Sequence, residues 1–291
     1  MFNILRSIRS GSIVLQLNEK QRRKARRYRM SSPNRKDPLK LRKTLLIPLI
    51  FVLLLQPCFA LTDEEIQEYQ TFLARKPIGE KIVFWTEKFI GTPYDMDPSG
   101  EYVSKATIVA DERMDCMYLT FRVAELALSK TPEEAIQVAL EKRFHSKGVM
   151  KNGQVTNYDD RFEYGEDMIE SGKWGKEVTT EIGKTTKIKG SRGKDFVEIL
   201  SSQALLTGQK NLKSGDIIFF ATKPEKRKVG EIIGHMGFIK VERKPDDSGS
   251  GDISLIHASG TKRKGGEVRK VLLKDYLSKM GFIGVKITRF Q

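Results

Sequence analysis

The sequence predicts an α+β fold in which a helical first half precedes a strand-rich second half that forms an antiparallel sheet. Between Thr62 and Lys142 the chain carries N-cap signatures followed by apolar residues at helical spacing. From Leu212 onward it turns to apolar runs and alternating segments separated by turn formers. The 231 residues after Ala60 are enough to bury a full core as one domain with an insertion.

The first element is not part of that domain. KLRKTLLIPLIFVLLLQPCFA, from Lys40 to Ala60, has a basic start, an apolar run from Leu45 to Leu55 and a small residue at its end. That is the anatomy of a secretory signal peptide, too short to span a bilayer comfortably. Residues 1–60 are therefore expected to be a basic leader with its signal, translation starting at Met1 or at Met30. The protein is expected to be secreted or periplasmic, touching the membrane only in transit. Cys58 follows Pro57, a poor residue before a lipidated cysteine.

Residues 61–291 are the expected domain. Thr62 and Glu65 have capping-box spacing and open a helix from about Asp63 to Leu73. Pro77 begins a second helix that stops at Gly91. GTPYDMDPSGEYV is rich in turn formers and puts Tyr94 on a loop running toward RMDCMYL. Asp115 is a good N-cap for the next helix, whose first turn holds Cys116 and whose apolar face includes Leu119, Val123, Leu126 and Ala127. Thr131, Pro132 and Glu134 open a helix through about Lys142. Residues 145–195 are polar and glycine-spaced, and are expected to be an insertion of short strands and one short helix. LKSGDIIFFAT, GHMGFIKVE and ISLIHAS read as strands, followed by a short helix near LKDYLSKM and a closing strand, GFIGVKITRF.

Charge narrows the function classes. The formal charge is +15, yet residues 1–60 hold 14 of the 52 Lys and Arg with only Glu19 and Asp37 as acids. The remaining residues carry 38 bases against 35 acids, so the mature chain is near neutral and no nucleic-acid partner is expected. With the leader gone, Cys116 is the one cysteine left. A free thiol in an oxidising compartment is either buried and inert or used.

The chain has three histidines, and His235 and His257 flank KPDDSGSGD, which reads as a hairpin connection. With its tip at residue 246, the two would be near-opposite partners on one face. Two imidazoles beneath a helix that carries the sole thiol in its first turn suit thiol catalysis: helix start and imidazolium favour the thiolate, and a second polar group orients the base. Satisfied core histidines and a zinc site from Cys116, His235 and His257 are the alternatives, the latter without a ligand pair at the usual spacing. No cofactor or metal is expected. His145, in KRFHSKG, is left as an ordinary surface or core residue.

The blocks GTPY, MDC, LKSGDIIFF, GHMGF and LIHAS, in that order from Gly91 to Ser259, resemble the NlpC-type cell-wall cysteine peptidases, a papain-related superfamily that cleaves peptidoglycan amide bonds. The resemblance implies a papain-like core with the nucleophile helix packed on a central antiparallel sheet. It implies Cys116 as nucleophile, His235 as general base, His257 as the orienting third residue, and Tyr94 and Asp115 as substrate-binding residues. Many of these enzymes read DCSG, where this chain has Met117 and Tyr118 after the cysteine, which argues against recognition of a free stem-peptide amine. The insertion looks instead like the branch of N-acetylmuramoyl-L-alanine amidases. Peptidoglycan or muropeptide fragments are the expected partners of a monomer. The rivals are a γ-D-glutamyl endopeptidase and an inactive wall-binding module. Trp174 and Tyr164 in the insertion are placed as sugar-stacking or surface-packing aromatics.

Overall fold

The protein is described by a computed structural model over residues 60–242, 251–261 and 264–291. The leader, the signal segment and most of the KPDDSGSGD connection lie outside the described residues. Among the described residues no helix is long and apolar enough to cross a membrane.

The N-terminal half is helical for the local reasons its sequence supplies. Helix α1 (Asp63–Leu73) has a reciprocal capping box, the Thr62 hydroxyl accepting from the Glu65 amide and the Glu65 carboxylate from the Thr62 amide. Helix α2 (Ile78–Lys88) follows Pro77, and a short α3 (Glu101–Ser104) follows the Gly91–Gly100 loop. Helix α4 (Cys116–Leu128) is capped by Asp115, whose carboxylate accepts from the Tyr118 amide at 2.6 Å. Helix α5 (Pro132–Lys142) is capped by the Thr131 hydroxyl, but Glu134 reaches back to the Lys130 amide, so the box is one residue longer than the sequence suggests.

Residues 145–200 hold more structure than the predicted insertion. They form a tiny hairpin of β1 (Met150–Lys151) and β2 (Gln154–Val155), two helices, α6 (Gly165–Ser171) and α7 (Thr179–Ile182), strand β3 (Lys176–Glu177), and a hairpin of β4 (Thr186–Lys189) with β5 (Phe196–Ile199). Helix α8 (Ser202–Gly208) comes next, capped by Ser201. Then come β6 (Ile217–Ala221), β7 (Ile233–Glu242), β8 (Asp252–Thr261), β9 (Gly265–Leu272), α9 (Leu273–Lys279) and β10 (Gly284–Arg289).

Six strands make one antiparallel sheet in the order β3-β10-β6-β7-β8-β9. Its two faces follow the pleat. Ile217, Phe219, Met236, Phe238, Ile256 and Ala258 join the core shared with α4, while Ile218, Phe220, Ile239 and Leu255 pack with α7, α8 and α9. The insertion is sewn into this sheet rather than appended to it. β3 pairs with β10, Trp174 is wholly buried with its ring 4.9 Å from Phe121 of α4, and its carbonyl accepts from Thr288. Trp174 is therefore a core aromatic and not a surface available to a sugar.

A polar stratum lies under α4. Arg143 and Glu125, both fully buried, form a two-pronged ion pair at 2.6 and 2.7 Å, and Arg122 pairs with buried Asp111. Tyr118 belongs to the same layer: its hydroxyl donates to Asp111 at 2.7 Å and accepts from the Ala110 amide at 2.6 Å. Breaking such a buried pair from one side costs about 3–5 kcal/mol, because the remaining charge keeps its desolvation penalty. Tyr118, one of the two residues that replace Ser-Gly after the cysteine, is thus a structural post facing away from the cleft.

Candidate active site

The first turn of α4 presents Cys116 at a cleft of about 420 Å³, whose lining includes Asp115, Met117, Tyr164, Ile233, Gly234 and His235. The thiol is partly exposed and free. Its polar neighbours are backbone N–H groups, those of Met236, Met117 and Cys116 itself. Such groups favour a sulfur anion. Burial and the adjacent Asp115 carboxylate outweigh them and push the thiol up to about 12. Asp115 is itself raised to about 6, burial opposing its charge more than the Tyr118 amide supports it.

His235 and His257 meet, though not by the predicted register. β7 and β8 pair Phe238 with Ile256 and Lys240 with Ser254, so the hairpin is offset by two residues from one centred on 246. Continued one step, the ladder sets His257 across from Gly237, and His235 becomes its diagonal neighbour. An offset of two preserves the face where an offset of one would have reversed it. Gly237 makes the diagonal contact possible: a Cβ there would lie 2.9 Å from the His257 Cβ and 2.7 Å from the Ile256 carbonyl. The His257 ring leans over that gap, and His235 Nε2 lies 2.8 Å from His257 Nδ1.

The imidazoles also do not lie beneath the body of α4. The pleat puts them on the sheet face shared with α9, where His257 packs edge-on to Tyr276 at 4.7 Å and His235 stacks near Phe282 at 6.2 Å. The helix meets them only at its first turn, where Cys116 and His235 line the same cleft. Apolar surroundings hold both rings neutral: burial pushes His235 down to about 3, with His257 adding to it, and His257 down to about 4, with Arg269 adding to it. The resting pair is a neutral thiol and a neutral imidazole. The expected thiolate–imidazolium pair is disfavoured because burial penalises both of its charges. His235 Nδ1 is the ring nitrogen not engaged with His257. Among the described residues the His257 Nε2 atom is buried without a partner.

Tyr94 lies beside this centre. The Gly91–Tyr94 segment runs along β9, with Gly91 N–H to Val268 O at 2.8 Å, Val268 N–H to Thr92 O at 2.9 Å and Tyr94 N–H to Gly266 O at 2.8 Å. Its ring rests where a Cβ on Gly260 would otherwise be, 2.6 Å from that position. Burial and the nearness of Cys116 and Asp115 raise its hydroxyl pKa, so the group is a hydrogen-bond donor. The predicted residues Cys116, His235, His257, Tyr94 and Asp115 thus gather at one end of the sheet.

Asp216 caps the β6 turn by accepting from the Lys213 amide and also clamps Arg289 of β10. His145 packs on Phe162 with ring centroids 4.3 Å apart and is absent from the cleft lining. Among the described residues no three His, Cys, Asp or Glu side chains converge as a metal ion requires.

The sequence alone does not reveal Glu166. This buried carboxylate of α6 accepts from the Ile232 and Ile233 amides, both at 3.1 Å, and so fastens the insertion to the entry of β7, two residues before His235. In the sequence it is one acid in a polar stretch, and its partners lie more than sixty residues away.

No protein-family model matches the chain, and no curated protein matches it. Solved structures do. An N-acetylmuramoyl-L-alanine amidase from Bacteroides uniformis is similar over 74% of this chain and 99% of its own, at 21% identity and a TM-score of 0.54. A Legionella pneumophila protein assigned to the DUF1460 family model is similar over 77% and 93%, at 17% identity and a TM-score of 0.57. A Bacteroides fragilis protein proposed to be a xylanase is similar over 72% and 100%, at 18% identity and a TM-score of 0.52. These likenesses establish a shared α+β fold.

Proposed function

We propose that this protein is an exported cysteine hydrolase of peptidoglycan, of papain-like, NlpC-related design, that cleaves the amide between the lactyl group of N-acetylmuramic acid and L-alanine. The observation that carries it is the His235–His257 contact at 2.8 Å, beside a cleft that holds the partly exposed Cys116 thiol. The name of the Bacteroides uniformis neighbour supports the choice of bond, as does Met117 of the cleft lining, whose side chain has no oxygen to offer a free amine.

The chemistry follows from the atoms. Cys116 Sγ attacks the lactyl carbonyl carbon as His235 Nδ1 takes the thiol proton, so that no thiolate need accumulate beforehand. His235 donates through Nε2–H to His257 Nδ1, which fixes the tautomer that leaves Nδ1 free. The Cys116 amide and the Tyr94 hydroxyl act as donors to the oxyanion. Collapse expels the alanine amine, which receives the proton from His235 and leaves a thioester. A water then attacks, giving its proton to His235, and the lactyl carboxylate departs as the thiol is restored. The active enzyme comprises residues 61–291, freed of the leader outside the cytosol, and works as a monomer without a cofactor.

Digestion of defined muropeptides by a chain beginning at Leu61, with products identified by mass spectrometry, tests this. Intact stem peptide bearing a free L-alanine amine is expected, and its release is lost in Cys116→Ala. A muramyl dipeptide product would instead establish the γ-D-glutamyl endopeptidase.

A further inference from the structure

Residues 161–165 of the insertion line the cleft, and their one partly open aromatic ring is Tyr164. Two other aromatic residues of the wall, Tyr102 and Phe162, are 3% and 1% exposed and present no face to a ligand. Tyr164 is held from behind: the Arg192 guanidinium carbon sits 3.6 Å from its ring centroid. Tyr164 lines the cleft and Arg192 does not, so the guanidinium covers the ring from outside the cleft lining.

Arg192 is itself immobilised. It forms a bidentate pair with Asp167, both bonds at 2.9 Å, and a third bond to Glu166 at 3.2 Å. Its backbone has φ +53, an uncommon conformation for a residue with a side chain, sustained where surroundings over-determine it. Glu166 is also the group that grips the β7 entry before His235. Tyr164 and the base are thus set on one bracket. Around the open side lie Met117 and Ile233, with Val229, 70% exposed, at the rim. A rigid aromatic face with apolar neighbours and hydrogen-bonding groups around it fits the C–H face of a pyranose ring, which is apolar in the middle and polar at its edge.

We propose that Tyr164, braced by Arg192, is the platform on which the N-acetylmuramoyl ring stacks, and that it makes the enzyme prefer sugar-bearing over sugar-free substrates. This rests on the muramoyl-peptide reading of the cleft.

The test uses Cys116→Ala protein and two ligands, N-acetylmuramoyl-L-alanyl-D-isoglutamine and N-lactoyl-L-alanyl-D-isoglutamine, titrated by calorimetry. The sugar should tighten binding by about tenfold, the scale of one aromatic stacking contact. A second substitution, Tyr164→Ala, should abolish that gain and leave the lactoyl ligand's affinity unchanged, whereas Tyr164→Trp should keep it. Arg192→Met, which leaves the ring in place but unbraced, reduces the gain without touching the cleft wall. Equal affinity of the two ligands, or a sugar gain that survives Tyr164→Ala, overturns the platform. Because no turnover is measured, a finding of endopeptidase products in the digestion above would sink the choice of bond while the sugar gain still decides the platform.

Discussion

At Cys116 two effects oppose each other. The first turn of α4 offers N–H groups to the sulfur, and the Asp115 that caps the same turn places a carboxylate next to it. Burial sides with the carboxylate, so the thiol pKa is high, and on the proposed mechanism proton transfer to His235 accompanies attack. Asparagine caps helices about as well as aspartate, so Asp115→Asn isolates the charge from the cap. Asp115 is raised only to about 6 and is ionised above that pH. Removing it takes away a charge that disfavours thiolate, so the thiol pKa falls. The rate of iodoacetamide alkylation against pH should therefore reach its midpoint at lower pH in the variant, and an unchanged midpoint would show that the carboxylate does not act on the sulfur. The place of Cys116 in a capped first turn was legible in RMDCMYL because a cap is a local signal. The balance was not, since desolvation depends on what the rest of the fold packs around the turn.

Among elements, the β7–β8 ladder carries the most information per residue. The sequence puts His235 and His257 on one face correctly but in the wrong register, because the connection between them is long and its length does not fix the pairing. Gly237 is the physical record of the true register: it is small because His257 stands opposite it. Gly237→Ala should push the two imidazoles apart and lower kcat on the order of a hundredfold, the cost of displacing a catalytic group by about an ångström. The accompanying loss of stability should be about 1–3 kcal/mol, as for other overpacked sites. Wild-type turnover in that variant would remove the diagonal contact from the mechanism. Strand β9 was missed altogether. Its half-exposed, charge-interrupted sequence alternates weakly, and only its pairing with β8 and with Gly91–Tyr94 makes it a strand.

For the molecule as a whole, the polar stretch from 145 to 195 is where sequence and structure part. Glycine spacing and charge read as a solvated insertion, but its aromatic and acidic residues point inward: Trp174 to Phe121, Glu166 to the β7 amides. Lys173 does the same, donating to the carbonyls of Glu141, Phe144, His145 and Ser146 at the end of α5. An insertion built this way unfolds with the rest. Trp174→Ala should lower the free energy of unfolding by about 3–5 kcal/mol in a single urea transition, as for other large buried side chains. An unchanged midpoint would return Trp174 to the surface role its sequence context suggested. The shared fold is similarly broad in what it permits, since its neighbours include proteins named for different glycan-directed activities. Residues 161–165 of the insertion line the cleft beside Cys116 and His235, so on the proposed function the insertion bears on which substrate is accepted.

The run of Gly91–Tyr94 along β9 has a consequence outside catalysis. A terminal strand with free amides and carbonyls is a template onto which another chain can add, and β9 is eight residues long. The GTPY segment takes three of those backbone bonds, and the proline within it cannot donate one onward. At the opposite margin β3 offers only two residues. The loop that delivers Tyr94 to the thiol therefore also guards the sheet against self-association, and a substitution there would be expected to show as aggregation as well as lost activity.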